Sequence, residues 1–312
     1  MIRPFIKWAG GKTRVLPDLL PLLPAEADCL IEPFVGGASV FLNTSYRRYV
    51  LADINADLIN LYRVAARRHD DLILYARELF AHGNNAAAYT DNRTRFNSLP
   101  PAASVEKAAL FLYLNRHCFN GVCRYNKSGA FNVPFGKYSQ PYFPEDEIRQ
   151  FAKKAAATPA IFISAPFNVT LSMFAERGTA IYCDPPYLPA SDTANFTQYH
   201  SGGFTAADHQ ALADALLDAN RQHGIQCVIS NSDTPGTREI YRHFGLHEIS
   251  VQRSAGANAI TRVAAKEVIG VLPVCDGCGR HGGGCCPDCG PAMGDATYQE
   301  MVASGALNEE PF

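Results

Sequence analysis

Residues 30–37 read LIEPFVGG, and the pattern that begins here indicates the fold class. A short apolar run ends at Pro33, and the paired glycines Gly36 and Gly37 follow. Residues 38–43 then have helical character, and residues 49–53 (YVLAD) form a second apolar run that ends in an acid. A strand, a glycine turn, a helix and a second strand are typical of the opening of a nucleotide-binding α/β unit. Glycines at such a turn permit positive φ and let a ligand approach the backbone closely.

The α/β pattern stops after residue 54 and resumes at residue 145. Apolar residues recur at helical spacing over residues 55–116, with breaks at 84–85 and 100–101, and a loop or hairpin rich in Asn, Gly and Pro is expected over 117–144. The later spacing predicts helices over 145–157, 205–223 and 237–244, and strands over 161–163, 179–183, 226–230, 246–251 and 267–272. We therefore expect an α/β fold with a doubly wound sheet, formed by residues 1–54 and 145–273. Residues 55–144 form a helical insertion and residues 274–312 a Cys-rich tail.

Composition restricts the class of protein. Hydrophobic residues make up 47% of the chain and charged residues 19%, which is typical of a globular protein rather than a disordered one. No apolar run is long enough to span a bilayer, and residues 1–7 lack the apolar core of a signal peptide. We expect a cytoplasmic protein that has no membrane partner and is a monomer in solution.

The net charge of −2 hides an asymmetry along the chain. Residues 275–312 contain six acids and one base, a net charge of −5, which leaves +3 on residues 1–274. Two stretches of the larger part, residues 3–14 and 116–137, contain Arg and Lys but no acid. Such clusters can meet phosphates even in a nearly neutral chain, although charge alone favours an ordinary solvated surface.

The tetrapeptide Asp184-Pro185-Pro186-Tyr187 directly follows the predicted strand 179–183. In an open α/β sheet, ligands bind at the carboxyl ends of the strands. An exocyclic amine becomes nucleophilic when acceptors bind its protons. Asp184 and the Pro185 carbonyl offer two such acceptors, and Tyr187 offers a flat face for a base. A simple turn after a strand explains Pro-Pro alone, but the flanking acid and aromatic residue favour a site.

Two further segments suggest a nucleotide-like ligand. Asp53 ends the second strand, where it can accept hydrogen bonds from ribose hydroxyls. The glycine turn lacks the GxGxxG pattern of dinucleotide-binding proteins, and Gly11-Lys12-Thr13 lacks the first glycine of a phosphate loop, so neither a nicotinamide cofactor nor an NTPase is favoured. Trp8 beside Gly10 suits a flat ligand, although a core position explains it equally well.

Together these segments resemble the bacterial and phage Dam-type DNA adenine-N6 methyltransferases of the D12 class. The resemblance rests on seven segments in order: WAGGK (8–12), EPFVGGASVF (32–41), LADIN (51–55), FLYLNR (111–116), FNGVCRYN (119–126), FNVPFGKY (131–138) and YCDPPY (182–187). It covers residues 5–272. It implies a Rossmann-like methyltransferase sheet with an inserted target-recognition domain. It also implies methyl transfer from S-adenosylmethionine, by direct in-line displacement, to a flipped-out adenine in the GATC sites of double-stranded DNA. An enzyme of this family is expected at the bacterial nucleoid.

The resemblance also implies a role for each matching residue. The catalytic residues are Asp184, Pro185 and Tyr187. The residues implied to bind S-adenosylmethionine are Trp8, Ala9, Lys12, Phe34, Gly36, Asp53, Phe167 and Asp184. The residues implied to contact DNA are Lys7, Arg116, Phe119, Asn120, Val122, Arg124, Asn126, Pro134, Lys137 and Tyr138. Within the last group, Phe119 enters the base stack, Asn120 meets the orphaned base, and Arg116, Asn126 and Lys137 contact phosphate.

Some positions depart from the family pattern and keep alternatives open. Phe119 stands where Tyr is frequent, Val122 is smaller than the usual Leu, and Pro166 precedes Phe167 where the family often has an acid. The alternatives are a methyltransferase acting on cytosine N4, RNA or a protein glutamine, and a catalytically silent GATC-binding regulator. The acid of the tetrapeptide favours adenine, and the intact tetrapeptide argues against a silent protein.

Five of the ten cysteines lie within residues 275–289. Cys275 and Cys278 form one CxxC pair, and Cys286 and Cys289 form a second, which is the spacing of a structural zinc site. Cys285 lies beside the second pair and leaves the choice of ligands open. The tail therefore predicts a structural zinc ion that the family resemblance does not cover.

Overall fold

The computed structural model describes residues 1–100, 104–188, 204–251 and 265–274. The strands are β1 Cys29–Glu32, β2 Arg48–Asp53, β3 Ala160–Ser164, β4 Thr179–Cys183, β5 Gln226–Ser232, β6 Gly245–Val251 and β7 Ala265–Leu272. The helices are α1 Leu16–Leu19, α2 Ser39–Asn43, α3 Ala56–Arg67, α4 His69–His82, α5 Ala86–Ser98, α6 Val105–His117, α7 Glu145–Ala157, α8 Phe167–Phe174, α9 Ala206–His223 and α10 Pro235–Ile240. Short 3₁₀ turns form at Lys12–Arg14, Leu20–Leu22 and Phe119–Gly121.

The seven described strands form one sheet in the order β3-β2-β1-β4-β5-β7-β6. The first five strands in that order pair in parallel, whereas β7 is antiparallel to both β5 and β6. Strand order reverses between β1 and β4, since β2 and β3 extend the sheet in one direction and β5 in the other. Such a switch point opens a ligand crevice at the carboxyl ends of the strands. The doubly wound α/β sheet expected from the sequence is confirmed.

The central strands are fully buried because helices cover the parallel sheet. All residues of β1 and β4 are buried, as expected of apolar strands in such a sheet. Strand β4 and helix α7 begin and end at the residues predicted from the sequence. Helix α9 starts at a capping box between Thr205 and Asp208 and ends at the left-handed Gly224.

Helix α6 lies at the centre of the helical insertion. Every residue from Lys107 to His117 is buried, because α3, α4 and α5 pack around the helix. One hydrophobic cluster joins this insertion to the sheet, and it contains Leu30 and Leu51 of the strands together with Phe111 of α6. The segment after α6 forms a loop closed by two antiparallel bridges, Cys118 with Phe135 and Tyr125 with Phe131. The expected ordered loop or hairpin is therefore present.

Two helices differ from the sequence prediction. The helix predicted over 237–244 instead spans Pro235–Ile240, because Thr234 accepts a hydrogen bond from the Thr237 backbone and Pro235 suits the first helical position. Helix α8 was not predicted, since it has only eight residues and no side chain that caps its start. No helix in the described ranges is both long and apolar enough to cross a membrane.

Candidate active site

The loop after β4 meets the start of the chain at the carboxyl edge of the sheet. The Lys12 Nζ lies 2.7 Å from Asp184 Oδ1 and donates a second hydrogen bond of 2.8 Å to the Gly10 carbonyl. It also lies 4.7 Å from the centre of the Tyr187 ring. Lys12 is only 6% exposed, so this ion pair is shielded from solvent. The structure therefore joins three predicted site residues from two distant segments.

Two opposing effects set the pKa of the Asp184 carboxyl. Burial raises the pKa of its carboxyl, and Lys12 lowers it, with a net pKa of about 6. The nearby Glu267 carboxylate adds a smaller upward shift. A carboxyl in this state is ionised at neutral pH and remains basic enough to accept a proton from a reacting amine.

The tetrapeptide is fixed by residues that sequence reasoning missed. The Tyr187 hydroxyl donates to Glu267 Oε2 at 2.9 Å, and the Pro186 carbonyl lies 3.0 Å from His209 Nε2. Just beyond it, the Leu188 backbone N–H donates to Asn231 Oδ1 at 3.2 Å. Asn231 lies near the end of β5, and Glu267 lies on the neighbouring β7. Their positions beside Tyr187 depend on strand pairing between segments far apart in the chain, which a single sequence does not specify.

The glycine turn after β1 is tied to the end of β2. Asp53 accepts hydrogen bonds from the backbone N–H groups of Gly36, at 3.2 Å, and Asn55, at 2.9 Å. The Gly36 carbonyl accepts a hydrogen bond of 2.5 Å from the Tyr62 hydroxyl. Gly36 has φ +45°, and a Cβ there would lie 2.9 Å from the Trp8 indole. Both its conformation and this close approach require glycine.

Two acids flank this turn, the half-buried Asp53 and the buried Glu32. Burial raises the pKa of Asp53 to about 6, although the two backbone hydrogen bonds act in the opposite direction. Glu32, at the end of β1, is 2% exposed, and burial raises its pKa to about 8. The Glu32 Oε1 and the Ser39 Oγ are buried with no hydrogen-bond partner among the described residues. These two oxygens therefore remain able to form hydrogen bonds with a ligand at the switch point.

Aromatic rings line the other side of the turn. Phe34 stacks on Phe167 with ring centres 5.8 Å apart, and Phe204 packs edge-on against both rings. Phe167 opens the unpredicted helix α8, which brings it to the site. On the opposite side, a cavity of about 240 Å³ is lined by Trp8, Gly11, Thr13, Ser39 and their neighbours. The predicted residues Trp8, Phe34 and Phe167 thus surround the glycine turn, and Ala9 is exposed beside it.

The segment after α6 presents exposed groups of mixed character. Phe119 is 55% exposed, and Asn120 beside it has the left-handed φ of 55°. Pro134, Lys137 and Arg124 are also exposed, while Val122 is half-buried. Arg124 donates from Nε to Asn132 Oδ1 at 2.9 Å, which holds its guanidinium beside the loop. An exposed aromatic ring next to exposed cations is a surface suited to nucleic acid.

Lys7 connects this segment to the loop at the start of the chain that also contains Trp8. Its Nζ lies 4.4 Å from the centre of the Tyr138 ring. Its backbone N–H donates to Asn115 Oδ1 at 2.9 Å, and its carbonyl accepts from Asn115 Nδ2 at 2.7 Å. The same Nδ2 donates to the Gly121 carbonyl at 3.1 Å. The buried Asn115 therefore fixes the backbone of Lys7 against the loop that carries Phe119 and Val122.

Two residues predicted to contact phosphate are engaged within the protein. Arg116 is 8% exposed, donates two hydrogen bonds to the Phe5 carbonyl and lies over the Tyr142 ring. Asn126 Oδ1 accepts hydrogen bonds from Ser128 and from the Ala130 backbone, which closes a turn. The described contacts of both residues are structural, and their phosphate contacts stay predictions.

The predicted zinc ligands Cys275, Cys278, Cys286 and Cys289 lie outside the described residues. Within the described ranges, no group of three or more His, Cys, Asp or Glu side chains could hold a metal ion. The five cysteines there are buried, free thiols.

Comparisons with known proteins agree with the geometry. Residues 8–255 match the family model described as D12 class N6 adenine-specific DNA methyltransferase. A DNA adenine methylase of Serratia marcescens is 47% identical over 268 residues, covering 86% of this chain and 97% of that protein. The DNA adenine methylases of Escherichia coli and Haemophilus influenzae are 46% and 44% identical, and each alignment covers 86% of this chain. The aligned regions cover 94% and 93% of those two proteins.

Proposed function

Because this chain belongs to the D12 class of N6 adenine-specific DNA methyltransferases, we propose that it methylates the N6 amine of adenine within GATC sequences of double-stranded DNA. The observation that carries the proposal is the position of Asp184–Tyr187 at the carboxyl end of β4, beside the glycine turn after β1. The membership makes the protein an adenine-specific enzyme rather than a silent regulator. The target sequence and the role of each residue belong to the proposal.

The tetrapeptide supplies the amine chemistry. Lys12 engages Asp184 Oδ1, which orients the carboxylate, and Oδ2 then accepts a hydrogen bond from the adenine amine. The Pro185 carbonyl accepts the second amine hydrogen, so the nitrogen lone pair points toward the methyl donor. Tyr187 stacks on the base, and its hydroxyl bond to Glu267 limits rotation of the ring. Asp184, with its pKa of about 6, accepts the proton that the methylated amine loses.

The residues around the glycine turn fit S-adenosylmethionine. That cofactor supplies an electrophilic methyl group on a sulfonium. Asp53 would accept hydrogen bonds from the ribose hydroxyls, and Phe34 and Phe167 would offer flat faces to the adenine ring. Gly36, Trp8, Ala9 and Lys12 would hold the methionine part. Two observations support this fit. The buried Ser39 Oγ has no described hydrogen-bond partner, and Gly36 has no room for a Cβ beside Trp8.

The adenine reaches this site by leaving the base stack. Phe119 is exposed and lies on a short 3₁₀ turn, so it can enter the gap while Asn120 contacts the orphaned base. Arg124, with its planar fork, reads a guanine, and Val122 and Pro134 contact pyrimidine edges. Lys7 and Tyr138 complete the reading surface, and Arg116, Asn126 and Lys137 contact phosphate. We assign residues 55–144 to target recognition and residues 1–54 and 145–273 to cofactor binding and catalysis.

The experiment that tests the catalytic assignment is replacement of Asp184. We expect Asp184→Ala to reduce single-turnover methyl transfer by about 100-fold or more, because one amine acceptor and the proton acceptor are lost together. Binding of DNA and of S-adenosylmethionine should remain measurable, and Asp214→Ala on the exposed face of α9 serves as the matched control. Transfer by Asp184→Ala at a rate close to that of the control would remove Asp184 from the mechanism.

The Cys-rich tail remains a proposed zinc site. The paired CxxC spacing of Cys275, Cys278, Cys286 and Cys289 supports one tightly bound structural ion. Metal analysis of the purified, reduced protein should give about one zinc per chain, and protein free of zinc would contradict the assignment.

A further inference from the structure

The Asp184–Tyr187 loop has an unusual shortage of backbone donors. Pro185 and Pro186 carry no N–H, so neither residue can be fixed by donating to a neighbouring strand. Backbone hydrogen bonds can therefore hold these two residues only through their carbonyl groups, which accept. The Pro186 carbonyl lies 3.0 Å from Nε2 of His209, on α9. Among the described hydrogen bonds, this one reaches the middle of the tetrapeptide from another element.

The tautomer of His209 follows from its partners. A carbonyl oxygen can only accept, so Nε2 must carry the proton that is shared with Pro186. Nδ1 is then an acceptor, and the Tyr241 hydroxyl lies 2.9 Å from it. The Asn231 amide nitrogen, a donor, lies 3.4 Å from the same atom. Two donors on one side and one acceptor on the other define a single neutral tautomer.

The ring is also fixed in space. His209 is fully buried, and Phe204 packs edge-on with its centre 4.6 Å away. The His209 backbone N–H donates to the Thr205 carbonyl within the capped first turn of α9. Burial lowers the pKa of His209 to about 4, so the ring stays neutral throughout the neutral pH range. Protonation of the ring therefore does not disturb the hydrogen bond to Pro186 at neutral pH.

We propose that His209 is a positioning residue for methyl transfer, whose Nε2–H orients the Pro186 carbonyl and so holds the Pro185 carbonyl and the Tyr187 ring at the target base. The proline ring fixes φ of residue 186, and the peptide between the two prolines is planar. Once the Pro186 carbonyl is fixed as well, little rotational freedom remains on either side of it. The inference rests on the proposed role of the Asp184–Tyr187 loop.

The test compares four variants by single-turnover methyl transfer at saturating S-adenosylmethionine and DNA. His209→Leu removes the donor, and His209→Gln retains an N–H at the position of Nε2. Tyr241→Phe removes one of the two donors to Nδ1 and keeps the other, the Asn231 amide, so it weakens the preference for the tautomer in which Nε2 donates to Pro186. Leu212→Ala removes a buried apolar side chain one turn further along the same helix, and it measures the effect of lost packing.

We expect His209→Leu to slow the chemical step by about 10- to 100-fold, because misplacement of a reacting group by about 1 Å costs rate on this scale. Dissociation constants for both substrates should change less than about threefold, since the loss is confined to positioning. His209→Gln should recover most of the rate, and Tyr241→Phe should lose part of it. In the wild-type protein, nitrogen NMR of the imidazole should show protonated Nε2 and unprotonated Nδ1.

A different outcome overturns the inference. If His209→Leu is no slower than Leu212→Ala at equal stability, or if His209→Gln is as slow as His209→Leu, the Nε2 donor does not position the loop. If His209→Leu does not fold, the Gln and Phe variants decide, and a normal rate for Tyr241→Phe together with a protonated Nδ1 would refute the tautomer argument. An active Asp184→Ala would instead refute the proposed site itself.

Discussion

At the scale of single residues, burial raises the pKa values of the acids in the site. Asp184 has Lys12 as a counter-ion, whereas Glu32 has a buried oxygen without a described partner. The position of Asp184 could be predicted from the sequence, because an acid at the end of an apolar strand reaches the ligand edge of the sheet. The protonation of Glu32 could not, since it depends on how closely α2 and β4 cover the residue.

The state of Glu32 predicts how stability depends on pH. Its folded pKa of about 8 lies above the ordinary value of 4.5, so the folded protein binds a proton that the unfolded chain releases. The resulting stabilisation is complete below pH 4.5 and is lost as pH rises through 8. Glu32→Gln, which cannot ionise, should not show this loss. Relative to wild type, the variant should gain at least about 1.4 kcal/mol of unfolding free energy between pH 5 and pH 8.5.

Urea unfolding at the two pH values measures this difference. Asp53 and Asp184 also have raised pKa values, but both are present in wild type and variant, so their effect cancels in the comparison. Glu26→Gln, at an exposed residue that precedes β1, is the control and should show the same dependence on pH as wild type. Equal behaviour of Glu32→Gln and Glu26→Gln would show that Glu32 is ionised in the folded protein.

At the scale of elements, the glycine turn after β1 is limited by Trp8. We expect Gly36→Ala to weaken S-adenosylmethionine binding by at least about tenfold, because the new Cβ would lie 2.9 Å from the indole at a left-handed φ. Gly129→Ala is the matched control, since its φ is +78° but no atom lies within 4 Å of its Cβ. Calorimetric titration of both variants separates the close contact from backbone strain. Equal affinities would remove the turn from the cofactor site.

Asn115 links two elements of the proposed enzyme, the loop that contains Lys7 and the segment that begins with Phe119. Asn115→Leu loses its hydrogen bonds to both, so Lys7 should shift relative to Val122. We expect the preference for GATC over sites with one altered base to fall by about tenfold, the scale of one base contact. Asn220→Leu breaks a similar amide clamp on the Ile225 and Pro273 carbonyls, far along the chain. If both variants lose discrimination equally, general destabilisation explains the effect.

The elements also differ in how far they could be predicted. Strand β4 is a continuous apolar run, and helix α7 has helical periodicity and three acids in its first turn. The predicted bounds of both agree with the structure. Helix α8 is short, apolar and uncapped, so its pattern does not distinguish it from a strand or loop. It nevertheless places Phe167 against Phe34, and the family resemblance rather than the pattern indicated that role.

At the scale of the whole molecule, the sheet and the helical insertion share one hydrophobic cluster. The sequence indicated two units from their different periodicities, but it could not show that their apolar faces meet. We expect a single cooperative unfolding transition, because neither unit keeps its core when the other unfolds. Trp8, the only tryptophan, reports from the boundary, and circular dichroism reports from all helices. Two separated transitions in urea would show that the units fold independently.

The proposed DNA methylation can be measured as transfer of labelled methyl groups from S-adenosylmethionine to two DNA duplexes that differ only in one GATC site. We predict label on the GATC duplex alone, and loss of that label when the adenine of the site is replaced. Equal label on both duplexes would contradict the assigned reading of GATC by Lys7, Val122, Arg124 and Pro134. No label on either duplex, with S-adenosylmethionine still bound, would contradict the proposed DNA methylation itself.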